Sequence, residues 1–525
     1  MEVTDCVHPE SRVLIIMTGG TICMQPTADG LQPIGGFLKA AMAPRPSFND
    51  MTNPSQLEAR KNGEILMLDS LRTPPTAYSR HIRYSVLEFS PLLDSSSISS
   101  NGWSEIAQTI CENYRLYDGF VILHGTDSLS YTASALSFML SDLGKPVILT
   151  GSQAPIFALQ SDAVDNLLGS LIIAGTFVIP EVCLFFHHQL FRGNRTTKNS
   201  AVNFDAFASP NCEPLAKMNG LGINVDWSLV LRPTAIAELQ VTQHLDTAHV
   251  ACIHVFPGIK PEMIDSVLRV PNLRGLVLRT FGMGNAPGGV DGSLTKVIKS
   301  AVDRGIIVVN VSQCLDGFVS PVYGPGTELG RAGVIFGQDL TTEAALTKLS
   351  YLMALPGLTT AEIGARMSVA LRGEMTELTR PLFSHPKALD IDLSRVSASD
   401  SAFTALGYAI RDGDLKAVKN ITEADEFGSS NPLLKKADYA GNTALHLAAV
   451  GSTAIVRELL TRGASVHARN FANNTPLFLA ERVGNEENVA LLKAAGGHLW
   501  QDEVKLIGGA QTPVEGPQKR PKPSP

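Results

Sequence analysis

Residues 13–22 read VLIIMTGGTI, an apolar run that ends in two glycines, a threonine and an isoleucine. A short apolar run closed by glycines is typical of a buried strand in a parallel sheet. Gly19 and Gly20 let the backbone approach a ligand closely, and Thr21 then holds its hydroxyl at the carboxyl end of the strand. Because ligands of α/β proteins bind at that edge, the stretch predicts a site as well as a strand. A tight turn with an incidental threonine is the alternative interpretation.

Six further apolar runs follow, at intervals that leave room for helices. They are GFVILHG (119–125), PVILTG (146–151), EVCLFF (181–186), VACIHVF (250–256), LRGLVLRTF (273–281) and GIIVVNVS (305–312). Amphipathic patterns lie between them, and their alternation with strands predicts an α/β fold with parallel sheets covered on both faces. Turn-rich sequence near residues 208–245 separates two α/β regions, which we place at 10–225 and 226–377.

One window, residues 167–186, is long enough and apolar enough to cross a bilayer. It carries one charge, Glu181, and Pro180 interrupts it. Since proline ends helices, we predict a buried helix followed by a strand here, and no membrane span.

The carboxyl-terminal region is different in kind and contains an internal repeat. AGNTALHLAAVGSTAIVRELLTRGASVHARN (440–470) is followed by FANNTPLFLAERVGNEENVALLKAAGGHLW, and Thr443 recurs as Thr475. The sequence motif and the 32-residue period resemble those of ankyrin repeats. Ankyrin repeats are stacked helix pairs that usually bind a protein partner. We therefore expect a linker at 378–400, an all-α ankyrin-repeat domain at 401–500 and a disordered tail at 501–525.

The composition excludes several classes of function. The 525 residues carry 43 basic and 50 acidic side chains, a net charge of −7, so we expect no nucleic-acid partner. The seven cysteines contain no CxxC pair, which favours free thiols over disulfides and predicts no metal site. The acidic, polar start MEVTDCVHPE does not resemble a signal peptide, so a cytoplasmic location is expected.

Three more polar clusters lie at predicted strand ends: DSSS (94–97), HGTDS (124–128) and RGNRTTK (192–198). Taken alone, the first two are typical helix caps and the third a basic surface loop. Thr126 and Asp127 would supply a second hydroxyl and a carboxylate, and Lys198 can accept a proton from a hydroxyl. Together with Thr21 these groups form a complete set for acyl transfer.

TGGTI, DSS, HGTDS, GSQ (151–153) and RGNRTTK occur in the order and spacing of the type I, cytosolic-type L-asparaginases. The resemblance runs from about Val13 to Glu377 and includes family members that carry carboxyl-terminal ankyrin repeats. It implies a two-domain asparaginase fold that hydrolyses L-asparagine to L-aspartate and ammonia without metal or organic cofactor. It also implies a homo-oligomer, a dimer or a tetramer.

The resemblance further implies roles for individual residues. Thr21 matches the nucleophile that forms an aspartyl ester, and Thr126, Asp127 and Lys198 match a second triad. Asp94 and Ser95 match the groups that hold the α-carboxylate and α-ammonium of the substrate, with Asp127 assisting. Backbone N–H groups near Gly20 and Thr126 are the expected oxyanion donors. The residues do not decide which threonine acts first.

This chain departs from the family pattern at three positions. Cys23 and Ser128 replace small residues with small residues, and we expect both to be tolerated. Leu31 stands where bacterial members have a lid tyrosine that bonds the reactive threonine, which leucine cannot do. Weaker activity, or replacement by another hydroxyl such as that of Tyr84, are the expected consequences.

Bacterial members have a second asparagine site, whose residues are matched by Thr197, Arg279, Asn285 and Cys314. Cooperative kinetics is therefore a hypothesis, and an ordinary domain-interface turn at 279–287 is its alternative. A lysophospholipase or acyl-hydrolase activity is a second functional hypothesis, although the sequence lacks a GxSxG elbow. An ankyrin scaffold with a weakened enzyme domain is the third.

Overall fold

The structure, a computed structural model, describes residues 9–28, 30–52, 55–233, 237–288, 292–376, 398–423, 432–500 and 503–504. It divides into two compact units: Met1–Leu231 with Glu238–Leu378, and Arg232–Ala237 with Thr379–Pro525. All of the predicted tail except residues 503–504, and all of the predicted linker except its last three residues, lie outside the described residues. The predicted domain boundaries stay predictions.

The amino-terminal α/β region of the first unit contains fifteen strands and three α-helices among its described residues. The strands are β1 (Glu10–Gly19), β2 (Met24–Thr27), β3 (Gly30–Pro33), β4 (Ser55–Lys61), β5 (Glu64–Arg72), β6 (His81–Leu93), β7 (Gly119–Leu123), β8 (Leu140–Ser141), β9 (Val147–Thr150), β10 (Val182–Phe186), β11 (Gln189–Arg192), β12 (Thr197–Lys198), β13 (Phe207–Ala208), β14 (Ala216–Asn219) and β15 (Gly222–Val225). The helices are α1 (Ser100–Asn113), α2 (Leu129–Met139) and α3 (Ala163–Thr176).

Ten of these strands form one sheet in the order β15-β14-β11-β10-β9-β7-β1-β6-β5-β4. The five central strands, β10 to β6 in that order, are parallel, whereas the strands on both sides pair antiparallel. The sheet is therefore mixed: its centre is parallel, as the sequence predicts, and antiparallel strands that were not predicted flank it. Two-residue hairpins join β4 to β5, β10 to β11 and β14 to β15, and so short a connection allows only antiparallel neighbours.

Alternate side chains of β1 enter different layers of the core. Leu14 and Ile16 belong to the cluster that contains residues of α1 and α2, while Val13 and Ile15 pack with residues of α3. Such alternation follows from the two-residue repeat of a strand. Helices thus cover both faces of the parallel centre, as the sequence predicts.

The predicted core helix and strand of residues 167–186 are confirmed as α3 and β10, separated by Pro180. Among the described residues, no helix combines the length and the hydropathy needed to cross a bilayer.

The second α/β region of the same unit is smaller. Its strands are β16 (Gln240–Val241), β17 (Val250–His254), β18 (Gly275–Thr280), β19 (Ile307–Ser312) and β20 (Ile335–Phe336). Its helices are α4 (Pro261–Leu268), α5 (Ser293–Asp303), α6 (Gly324–Arg331), α7 (Thr342–Ala354) and α8 (Thr360–Met367). β17 to β20 form a four-stranded parallel sheet, and β16 pairs with β8 of the first region.

The described part of the second unit contains helices and no β-strand. Six of these helices are α-helices. They are α9 (Ala398–Arg411), α10 (Leu415–Thr422), α11 (Ala444–Ala449), α12 (Thr453–Thr461), α13 (Pro476–Val483) and α14 (Glu486–Ala494). They form three pairs around one apolar core that includes Leu406, Leu445 and Leu477. Thr443 and Thr475 are the equivalent N-cap residues of α11 and α13, so the sequence repeat is also a structural repeat.

Candidate active site

The ends of three neighbouring strands bring the predicted polar clusters together. β1 lies between β6 and β7, and all three strands run parallel, so the segments after Gly19, Leu93 and Leu123 leave the same edge of the sheet. The Gly20 N–H donates to the Leu93 carbonyl at 3.1 Å. Side chains from three distant stretches of sequence therefore face one site.

Gly19 and Gly20 are required by this close approach. Both have positive φ angles, 132° and 87°, which L-residues rarely adopt. A Cβ at Gly19 would lie 2.1 Å from the Leu93 carbonyl oxygen, and one at Gly20 would lie 2.3 Å from the Gly125 nitrogen. The backbone at Gly19 and Gly20 therefore does form a tight turn, as the alternative interpretation predicts. This turn also places Thr21 at the carboxyl edge of the sheet.

Lys198 joins the two residues of the HGTDS cluster that carry chemistry. Its Nζ donates to Thr126 Oγ1 at 2.9 Å and to Asp127 Oδ1 at 2.7 Å, across more than 70 residues of sequence. Thr126 is buried, while the Asp127 side chain is 66% exposed and can meet a ligand from solvent. β12 holds the lysine through its pairing with β13.

Gln153 belongs to the same group, and sequence analysis noted it only as part of a motif. Thr126 Oγ1 donates to Gln153 Oε1 at 3.2 Å, while Gln153 Nε2 donates to the carbonyls of Ser200 and Asn203. The Thr126 hydroxyl proton therefore points to the amide while Lys198 donates to its oxygen. The available signal was positional, because Gln153 follows β9 at the same edge of the sheet.

Asp94 and Ser95 open the short 3-10 helix after β6. Asp94 accepts a hydrogen bond from the Ser96 N–H at 2.9 Å, and its hydrogen bonds with Ser96 lower the pKa of the Asp94 carboxyl. The Asp94 carboxylate therefore caps the 3-10 helix, which is the helix-cap role that the cluster suggests when taken alone. The same side chain is exposed at the site. Ser95 is buried beside Gly125, where an added Cβ would lie 2.5 Å from Ser95 Oγ.

His124 supports this loop from inside the protein. Its ring contacts the Gly125 carbonyl at 2.7 Å through Nδ1 and Thr132 Oγ1 at 3.0 Å through Nε2. Trp103 donates to the same Thr132 oxygen, so the Thr132 proton goes to Nε2 and the histidine donates from Nδ1. Burial lowers the pKa of His124 to about 4, and the neutral ring fits this arrangement.

The Thr21 hydroxyl has no hydrogen-bond partner among the described residues. Leu31 lies on the β2–β3 hairpin with half of its surface exposed. Tyr84 does not take the place of the lid tyrosine: it is fully buried, and its hydroxyl donates to the Phe48 carbonyl at 2.6 Å. That expectation is wrong because β6 directs Tyr84 into the core that contains α3 residues.

The two smaller departures fit the space that they occupy. Cys23 is buried and its thiol donates to the Gly20 carbonyl at 3.2 Å, while burial raises the pKa of Cys23 to about 12. Ser128 donates its hydroxyl to the Ser95 carbonyl at 2.6 Å. Both side chains therefore stabilise the loops that carry the site.

The residues predicted to form a regulatory site fall into two groups. Thr197 donates its hydroxyl to Glu343 at 2.8 Å, and the charge of Arg279 acts on the same carboxyl, whose pKa is raised mainly by burial. Asn285 closes a turn with Phe281 after β18, and the exposed Cys314 follows β19. Sequence analysis missed Glu343, which lies on α7.

Comparison with known proteins covers nearly the whole chain. The sequence matches the family models "Asparaginase, N-terminal" over residues 12–231 and "Glutaminase/Asparaginase C-terminal domain" over residues 249–367. A third model, "Ankyrin repeats (3 copies)", matches residues 367–470 and 406–501.

Individual relatives agree with these matches. The "60 kDa lysophospholipase" of Mus musculus is 40% identical over 87% of this chain and 79% of its own length. The "L-asparaginase" of Dirofilaria immitis is 37% identical over 95% of this chain and 84% of its own length. The crystal structure of L-asparaginase I from Vibrio cholerae superposes with a TM-score of 0.58 and 40% identity, covering 70% of this chain and 100% of that one. This chain therefore belongs to the asparaginase family and carries ankyrin repeats after the two asparaginase domains.

Proposed function

We propose that this protein is an L-asparaginase that hydrolyses L-asparagine to L-aspartate and ammonia through a threonine nucleophile. The observation that carries the proposal is the Thr126–Asp127–Lys198 group, with Nζ 2.9 Å and 2.7 Å from its two partners. This group lies at the sheet edge where Gly19 and Gly20 deliver Thr21. Family membership supports L-asparagine as the substrate, as does the name L-asparaginase given to the Dirofilaria immitis relative.

In the proposed reaction, Thr21 Oγ1 attacks the side-chain amide carbon of asparagine. Its proton passes to the leaving nitrogen, so the C–N bond breaks, ammonia departs and an aspartyl ester remains. Water then attacks the ester, and the threonine oxygen recovers a proton. Backbone N–H groups around Gly20 and Thr126 are assigned to the oxyanion, a contribution of about 3 kcal/mol per donor in other enzymes.

The partners of Thr126 suggest how protons move. Lys198 donates to Thr126 Oγ1 while Gln153 accepts its proton. For the lysine to accept that proton, the ammonium must first be deprotonated and the hydroxyl must turn away from Gln153. Two assignments therefore stay open: Thr126 activates the water that cleaves the ester, or it attacks first and Thr21 assists.

Substrate selection is assigned to the charges at the mouth of the site. Asp127 and Asp94 present carboxylates to the α-ammonium, and Ser95 contacts the α-carboxylate in this proposal. Both acids are exposed, so they are accessible to an amino acid arriving from solvent. No step requires a metal or an organic cofactor.

A lysophospholipase activity is the second candidate. It is favoured by the similarity to the mouse protein named 60 kDa lysophospholipase. We also propose a cytoplasmic location, which the six free thiols among the described cysteines support. A homo-oligomer and a protein partner for the ankyrin repeats complete the proposal.

Ammonia release from L-asparagine tests the proposal, with L-glutamine and a lysophospholipid as parallel substrates. We expect Thr21→Ala and Thr126→Ala each to lower kcat by at least about a hundredfold, since each removes a reacting or proton-transferring hydroxyl. Thr52→Ala is the control, because Thr52 is exposed and its hydroxyl donates to Asp50, which is not a residue of the site. Mass spectrometry of a quenched reaction then shows which threonine carries the ester.

Unchanged ammonia release in both alanine variants would remove the threonine mechanism. Fatty-acid release without ammonia release from the unsubstituted protein would instead favour the lipid activity.

A further inference from the structure

A cavity of about 690 Å³ lies within the first unit, apart from the site described above. Its walls come from the segment after β13, residues 209–214, and from residues 316–318 after β19. Neither threonine of the candidate active site lines it, nor do Asp127 and Lys198. Its volume falls in the range of small-molecule sites.

Aromatic rings provide the apolar part of this cavity. Phe191 and Phe207 line it and are almost wholly buried, whereas Phe318 is 48% exposed. Phe207 is also the strand partner of Lys198 across β12 and β13. An apolar group of a ligand would find aromatic contacts inside, and a cation would find an exposed ring face.

The charged side chains that line the cavity are all acidic: Asp205, Glu213, Asp316 and Asp339. Two of the four have cationic partners. Arg195 Nη1 lies 2.9 Å from Asp339 Oδ2, and the exposed Lys217 lies 3.5 Å from Glu213.

Asp205 and Asp316 have no cationic partner among the described residues. Both are exposed, and no lysine, arginine or histidine within the described part of the chain lines the cavity. The cavity therefore keeps a net negative charge that attracts cations and repels carboxylates and phosphates.

The two walls are held together without a ligand. Asn211 Nδ2 donates to the Gly317 carbonyl at 3.1 Å, and the Gly317 N–H donates back to Asn211 Oδ1 at 2.9 Å. This reciprocal pair fixes the acidic wall at Asp316 relative to residues 209–214. A preformed cavity reduces the conformational entropy that the protein must lose when a ligand binds.

We propose that this cavity binds a small organic cation, a primary ammonium carried by a short apolar group. The ammonium lies between Asp205 and Asp316, against the Phe318 ring, and the apolar group packs on Phe191 and Phe207. Glycine-rich phosphate loops and basic side chains are not part of the described wall, which disfavours nucleotides and other anions.

Benzylamine is the probe, titrated into the full-length chain by calorimetry and ligand-observed NMR. We expect a millimolar dissociation constant, weaker binding at higher salt, at least fivefold weaker binding of neutral benzyl alcohol, and no binding of benzoate. The readout does not depend on amide hydrolysis.

Two variants locate the site. Asp205→Asn combined with Asp316→Asn removes the unpaired charges, and Phe318→Leu removes the ring while keeping an apolar side chain. Each is expected to weaken benzylamine binding about fivefold or more. Asp412→Asn, an exposed aspartate of the second unit, is the matched control and leaves the affinity unchanged. Phe318→Leu keeps the test valid if the double variant does not fold.

Equal affinity for benzylamine and benzyl alcohol overturns the proposal, as does equal affinity of all variants. A third result also overturns it. If the double variant changes the molar mass in light scattering while benzylamine affinity is the same, a basic side chain of a second copy occupies the cavity.

Discussion

At the residue scale, the polar chain Trp103–Thr132–His124–Gly125 shows how a buried group holds a loop of the candidate active site. The histidine is neutral because burial disfavours its charged form, and its two hydrogen bonds use both ring nitrogens. The motif HGTDS thus has two functions: its histidine orients the loop, and its threonine and aspartate face Lys198.

This burial predicts a pH dependence of stability. The pKa of His124 is about 4 in the folded protein, against an ordinary value near 6.5, so between these values the unfolded chain binds more protons. The contribution of the neutral His124 ring to stability is therefore complete above about pH 6.5 and falls as the pH drops toward 4, by up to about 3 kcal/mol. Chemical denaturation of the first unit at several pH values measures this.

His124→Asn provides the comparison for that experiment. The variant keeps a side chain that can donate to the Gly125 carbonyl but removes the titrating ring. We expect a lower stability at pH 7 and a shallower decline toward pH 4 than in the unsubstituted protein. Parallel curves for the two proteins would show that His124 is not the group responsible.

At the scale of elements, one fully buried ion pair fastens the segment after α8 to α7. Lys348 Nζ lies 2.7 Å from Glu374 Oε1 and also donates to the Met367 and Val369 carbonyls. Glu374 in turn accepts from the Leu371 N–H. Neither charged side chain has any exposed surface, so each depends on the other.

Removal of one partner should therefore be costly. We expect Lys348→Met to lower the free energy of unfolding by about 3–5 kcal/mol, because a buried carboxylate loses its counterion. Lys299→Met breaks the exposed pair with Asp303 and should change stability by less than about 1 kcal/mol. Urea denaturation of both variants decides this, and similar losses in the two would contradict the argument.

At the scale of the whole molecule, two units have separate hydrophobic cores. The core of the second unit contains only residues of its own helices and loops, among them Leu477, which has no exposed surface. Its three helix pairs are close to the minimum for a repeat stack. Its stability should therefore be sensitive to single core substitutions.

We expect Leu477→Ala to destabilise the second unit by about 2–5 kcal/mol while ammonia release from L-asparagine at 25 °C is unchanged. Calorimetry should show a lower transition temperature for that unit alone. Leu136→Ala, in the core of the first unit, is the counterpart and should lower the other transition. A single transition that shifts equally in both variants would show that the units unfold together.

The sequence by itself determined the α/β alternation, the ankyrin repeat and the strand-end clusters, because apolar periodicity and glycine position are local properties. Thr21, Thr126 and Asp127 were predicted as one group since parallel strands end at one edge. Lys198 was predicted to leave the sheet toward that edge, although it follows β11, which runs antiparallel to β10. The family matches confirm the asparaginase domains and the ankyrin repeats.

Only the tertiary structure decided the features that depend on contacts between distant residues. The antiparallel outer strands β4 and β5 were missed, because β4 (SQLEARK) alternates polar and apolar residues and the apolar run of β5 is only four residues long. Three hydrogen bonds were also not predicted. They join Thr126 to Gln153, Thr197 to Glu343, and the Tyr84 hydroxyl to the Phe48 carbonyl. Sequence spacing carries no record of such pairs, since a hydrogen bond depends on where two chain segments meet in space.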